Sequence, residues 1–153
     1  MLTPAQYEQK LFWGIFEKKL VNMNNPFTIS YEINDEIKYF ASVNKRNARV
    51  NLGLTIDFLC KEKIVKINIY LENDIETFNY LHLHKEKIES ELGFKPQWIY
   101  SGVKNPNTRR IINTFPIVIG NPLDYERVIE KIIPYVIQYK KVFEKYIPKL
   151  CDY

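Results

Sequence analysis

Apolar residues recur at helical spacing from the start of the chain: Tyr7, Leu11, Phe12, Ile15, Phe16, Leu20 and Met23. That period predicts an amphipathic first helix. Thr3 is placed as its N-cap, Pro4 in its first turn, and Asn24-Asn25-Pro26 as its stop. The period then changes to two. Phe27, Ile29, Tyr31 and Ile33 alternate with polar residues, Asn34-Asp35 supplies turn chemistry, and residues 37–43 return, which predicts a hairpin. The clearest alternation follows, with Val50, Leu52, Leu54, Ile56, Phe58 and Cys60 pointing one way. After a turn at 61–63, Val65, Ile67, Ile69 and Leu71 do the same. Matching the two apolar faces in an antiparallel pair sets Phe58 opposite Ile67 and Ile56 opposite Ile69. The other face then carries Arg49, Asn51, Thr55, Asp57, Lys66, Asn68 and Tyr70. A sheet with one apolar and one polar face packs helices on one side and leaves the other free.

Asn73 with Glu76 reads as a capping box for the next helix, and Gly93 as the residue that closes it. Two strands are predicted at 97–101 and 110–119, separated by the loop 102–108, and Pro116 marks the second as an edge strand or a bulge. Asn121-Pro122 opens a long last helix with the stripe Tyr125, Ile129, Ile132, Val136, Tyr139, Phe143, Ile147 and Leu150, kinked at Pro134. The expected fold is α+β: an antiparallel sheet of about six strands, helices on one face, order α-β-β-β-β-α-β-β-α. Residues 1–153 read as one domain, without a repeat or a linker.

Composition narrows the classes. A chain of 153 residues with 46% hydrophobic and 26% charged residues can bury a core, which argues against disorder. No apolar run approaches the roughly 18–20 residues of a membrane helix. Charges in MLTPAQYEQKLF break the apolar stretch that a signal peptide needs, so a cytoplasmic location without membrane contact is the expectation. Cys60 and Cys151 form neither a disulfide framework nor a zinc spacing and read as incidental. A net charge of +4 permits nucleic-acid binding without arguing for it.

The histidines are the first chemical candidates. On one helix, His82 and His84 stand about 200° apart and cannot share a ligand. His82, Glu86 and Glu89 do share a face, but Glu and Lys at such spacing describe the wet side of a scaffold helix. No metal and no cofactor are expected. Glu36-Ile37-Lys38 matches the second half of a PD-(D/E)XK nuclease site, yet neither Glu17 nor Glu32 has the first half's surroundings. G-x-S-x-G, P-loop and G-x-G-x-x-G motifs are missing, so no catalytic residue is assigned.

Two basic clusters remain, at 45–49 (KRNAR) and 104–110 (KNPNTRR), with Trp98 and Tyr100 just before the second. Loops meeting at one end of the sheet would place Arg46, Arg49, Lys66, Arg109 and Arg110 as phosphate contacts, with Asn51 and Asn68 adding polar ones. Basic loops also keep a lysine-rich chain soluble and guard sheet edges. Trp13 and Trp98 read as core. The last helix, about 26 residues and so about 39 Å long, is longer than a small domain needs. Its end either packs on the first helix or forms a docking surface for a partner or a second copy, through Phe143 and Ile147.

Several of these marks, namely Phe12-Trp13, the strands ARVNLGLTIDF and KINIYL, FNYLHLHKEKIESELG, Trp98, Arg109-Arg110-Ile111 and the terminal YIPKL, resemble domain-of-unknown-function family 4268 of bacteria, archaea and phages. The resemblance spans nearly the whole chain. It implies a non-catalytic accessory or recognition role near nucleic-acid processing or phage defence, because members often adjoin restriction-type nuclease domains. The leading expectation is therefore a nucleic-acid-binding accessory domain. A protein-interaction or oligomerisation module acting through the last helix is the alternative, and a degenerate metal nuclease using Glu36 and Lys38 the third.

Overall fold

The computed structural model describes residues 1–27, 30–31, 40–47, 52–100 and 107–147. Thr3 caps the first helix, α1 (Pro4–Asn22), as expected: its hydroxyl accepts from the Gln6 N–H, and the Gln6 side chain accepts from the Thr3 N–H. Asn24 and Asn25 end it in the left-handed region, at φ 59° and 49°. The buried stripe is turned slightly from the predicted one. Gln9, Phe12, Trp13, Phe16 and Leu20 face inward, while Tyr7 and Met23 stand exposed.

The strands are β1 (Ser30–Tyr31), β2 (Phe40–Asn47), β3 (Leu52–Leu59), β4 (Ile64–Glu72), β5 (Gln97–Ile99) and β6 (Thr108–Pro116). They pair antiparallel throughout in the order β1-β2-β3-β4-β6-β5. The expected six-stranded sheet thus has four full strands, with edge pieces of two and three residues. The β3–β4 register differs from the predicted one by two residues: Phe58 faces Val65 and Ile56 faces Ile67. The cause is the turn 60–63, in which Lys63 takes φ 58° and its N–H donates to the Cys60 carbonyl at 3.2 Å. A two-residue slip leaves every side chain on its face, so the apolar pattern could not detect it. β6 is not an edge strand as Pro116 suggested. It lies between β4 and β5, and Pro116 sits at its last position, opposite Ile64 and beyond the reach of β5.

Between the strands the cover comes in two pieces, α2 (Ile75–Leu83) and α3 (Lys85–Leu92), where a single helix was predicted. The helix is interrupted at His84, which ends α2 and begins α3 without a side-chain cap of its own. The N-cap of α2 is Asp74, whose carboxylate accepts from the Thr77 N–H, and not Asn73. Asn73 lies at φ 58° and donates its N–H to the Asn107 carbonyl. Gly93 closes α3 at φ 82°, as expected. The last helix, α4 (Pro122–Tyr146), starts on the Asn121 cap and runs through Pro134.

All four helices pack on one sheet face. Phe12 of α1 stacks on Phe58 at 4.3 Å, Phe78 of α2 meets Trp98 edge-on, and Tyr139 of α4 donates to the Asn113 side chain at 2.5 Å. Ile88 and Leu92 bring α3 into the same core. Burying each such large apolar side chain contributes about 1.5–3 kcal/mol. One buried amide stitches α1 to β3: Gln9 donates to the Phe58 carbonyl at 2.7 Å and accepts from the Trp13 indole at 3.0 Å. Among the described residues, no helix is long and apolar enough to cross a membrane.

Candidate functional site

Among the described residues, the predicted phosphate contacts divide between the two faces of the sheet. Strand pairing sets Lys66, Asn68 and Arg110 on the sheet face away from the helices, and Arg109, opposite Leu71, on the helix side. Arg46 lies in β2, and Arg49 and Asn51 fall outside the described residues, as do Glu36 and Lys38 of the nuclease reading. The groups that do share the face already have protein partners. The Lys66 ammonium is 4.0 Å from the Asp57 carboxylate, and burial holds its pKa below the usual lysine range, against the pull of Asp57. The Arg110 guanidinium lies 5.3 Å from the Tyr70 ring centroid. Asn68 is 3% exposed and donates to the Thr55 hydroxyl at 3.4 Å, leaving its own carbonyl oxygen buried without a protein partner.

Phe143 and Ile147, the predicted partner contacts, are 0% and 2% exposed and belong to the chain's own core. The end of the long helix is engaged internally, because its last turn reaches α3. Lys145 and the Tyr146 hydroxyl both reach Glu91. A partner could not touch Phe143 or Ile147 without displacing that packing.

His82 does not gather ligands with Glu86 and Glu89. Its Nε2 is hydrogen-bonded to the Tyr100 hydroxyl at 2.5 Å, while Glu89 accepts from the Trp98 indole at 3.3 Å. Among the described residues, no group of three or more His, Cys, Asp or Glu is placed to hold a metal ion.

A different feature stands out at the end of the molecule where α1 begins. An apolar groove of about 860 Å³ opens between three segments: residues 1–8, the β3–β4 turn and the β6–α4 turn. Leu2, Pro4 and Tyr7 form one wall, Cys60 and Ile119 the other. The segments are fixed to each other by hydrogen bonds. Ile117 donates its N–H to the Lys63 carbonyl at 3.1 Å, and Gly120 donates to the Tyr125 hydroxyl at 2.9 Å. That hydroxyl donates in turn to Glu8, and burial together with this bond pushes the Tyr125 pKa well above its usual value. Burial, with the Glu8 carboxylate near, also raises the Cys60 pKa. Tyr7 in the first segment and Val118 and Leu123 near the β6–α4 turn are exposed, at 58%, 58% and 76%. Sequence reading assigned Tyr7 to the core and took Cys60 as incidental. The strand period did place Cys60 beside the apolar face, but nothing local links it to Leu2 or Ile119.

Comparison with known proteins adds a family and little more. The model of the family described as "Domain of unknown function (DUF4268)" matches residues 9–147. No curated protein matches the chain in sequence. Among solved structures the chain is similar to YbjN from E. coli, a proposed transcription regulator, at 11% identity over 86% of this chain and 93% of that one. The TM-score of 0.39 marks a likeness too loose to carry an argument.

Proposed function

The chain belongs to the DUF4268 family of unknown function, and from that premise we propose that it is a single-domain protein-interaction module that takes its partner in the apolar end groove. The observation that carries this reading is the groove itself. Its volume of about 860 Å³ falls in the range of built binding sites, and its walls are side chains from three separate segments locked by hydrogen bonds. Tyr7, a lining residue that is also exposed, offers apolar surface to a partner.

Nucleic-acid binding is the second reading, favoured by the meeting of Lys66 and Arg110 on one sheet face. It is the weaker of the two. Lys66 is half-buried beside Asp57, Arg110 lies over Tyr70, and the neighbouring Arg109 faces away. Phosphate contacts work best as exposed, unneutralised cations.

Selection of peptides from a displayed library, followed by mapping in 15N-1H spectra, tests the proposal. Bound peptides are expected to carry aliphatic and aromatic residues and to shift the resonances of Tyr7, Cys60 and Ile119. Binding should persist between about 50 and 500 mM salt, as apolar association does, and be lost in Tyr7→Asp. Labelled DNA or RNA that binds in a salt-dependent way, and fails to bind Arg110→Ala, would overturn it.

A further inference from the structure

Resting on the reading of the groove as a protein-docking site, we infer that its occupant is a partner segment in which an apolar anchor is followed closely by a carboxylate. The charges around the groove are unequal in availability. Its lining holds one acidic side chain, Glu8, and, among the described residues, one basic side chain, Lys61. Glu8 is only partly exposed and is turned to the Tyr125 hydroxyl, which Gly120 also engages. Lys61 instead stands exposed on the β3–β4 turn, with Glu62 and Lys63 following it. The turn therefore offers a net positive rim to an apolar slot. A segment that seats an aliphatic or aromatic side chain against Tyr7, Cys60 and Ile119 meets Lys61 at the groove's edge. A carboxylate at that point is attracted, whereas a lysine or arginine is repelled. Rim charges of this kind contribute selectivity more than affinity.

Two fluorescein-labelled peptides with the same aliphatic-aromatic core, one flanked by glutamates and the other by lysines, make the test by anisotropy. The acid-flanked peptide is expected to bind about fivefold more tightly at low salt, the scale of one or two exposed ion pairs. The gap should shrink as salt is raised. Lys61→Glu, on an exposed turn that leaves the core untouched, should reverse the preference, and Tyr7→Asp should abolish binding of both. Equal binding of the two peptides, lost together in Tyr7→Asp, would overturn the carboxylate inference and leave the groove reading standing. Binding of neither, with the groove resonances unmoved, would overturn both. Self-association by sedimentation that disappears in Tyr7→Asp would give the groove to a second copy, and that too would overturn the inference.

Discussion

Arg109 and Arg110 are neighbours in the chain and stand on opposite sides of the sheet. Arg109 faces Leu71 on the helix-covered side, and Arg110 faces Tyr70, whose ring it covers at 5.3 Å from the centroid. Replacing the two residues has different expected results. Arg110→Ala should lower stability by about 0.5–1 kcal/mol through loss of the cation–π contact. Tyr70→Leu should lower it comparably, and a double-mutant cycle by urea unfolding should return a coupling of the same size. A cycle with Arg109→Ala and Tyr70→Leu should give a coupling near zero. Equal coupling for both arginines would show the strand faces to be misassigned.

Gln9 is a buried polar residue on an otherwise apolar helix face, and its two ends are both used. Gln9→Leu removes the acceptor of the Trp13 indole and the donor to the Phe58 carbonyl together. The expected cost is about 2–3 kcal/mol, because buried groups lose partners that water cannot replace. Urea midpoints measure it, and a cost under about 0.5 kcal/mol would mean that the amide does not hold α1 to β3.

Asn68 and Thr55 form a buried polar pair in which one carbonyl oxygen has no protein partner. Replacing both members with apolar residues, in Asn68→Leu with Thr55→Val, should change stability by less than about 1 kcal/mol or raise it. Asn68→Asp alone should lower stability by about 2 kcal/mol or more, since it buries a charge where a neutral amide stood. Calorimetric melting of the three variants separates these outcomes.

The start of α4 carries a pH dependence. The Asp124 carboxylate accepts from Arg127 and from the Val118 N–H, and both hold its pKa below the ordinary 3.8. A carboxyl whose pKa is lower folded than unfolded adds stability above the unfolded pKa, and loses it as pH falls through the folded one. The difference in unfolding free energy between the wild type and Asp124→Asn should therefore be constant above about pH 5 and close below about pH 4. A difference that stays open at about pH 2 would assign the effect to something other than this ionisation.

Much of the architecture was legible because periods of two and 3.6 are read from side chains alone. Thr3-Pro4, Gly93 and Asn121-Pro122 did what their chemistry dictates. The errors have physical causes. The β3–β4 register slipped by two because alternation is blind to an even shift, and only the φ 58° conformation of Lys63 sets the turn length. One helix was predicted where α2 and α3 stand because the apolar spacing of Phe78, Leu81, Ile88 and Leu92 continues across His84. KNPNTRR reads as one cluster of charge, although the strand period already separates Arg109 from Arg110. The groove was out of reach for another reason: residues 1–8, Cys60 and Ile119 meet only through tertiary pairing.

The break at His84 divides labour in the cover of the sheet. α2 is anchored to β5 through Phe78 and Trp98, while α3 offers Glu89 to the indole of that same Trp98 and Glu91 to Lys145 and Tyr146 of α4. α3 is thus a strut between the sheet's edge and the far end of the last helix. The joint above it is an uncapped turn with Leu83 fully presented to solvent at 79%. Such a joint is a splice point: one or two residues inserted beside Leu83 lengthen a turn without shifting the register of either helix. Such an insertion would change the exposed surface around Leu83 and Tyr80 and leave the β3–β4 turn, with its end groove, untouched.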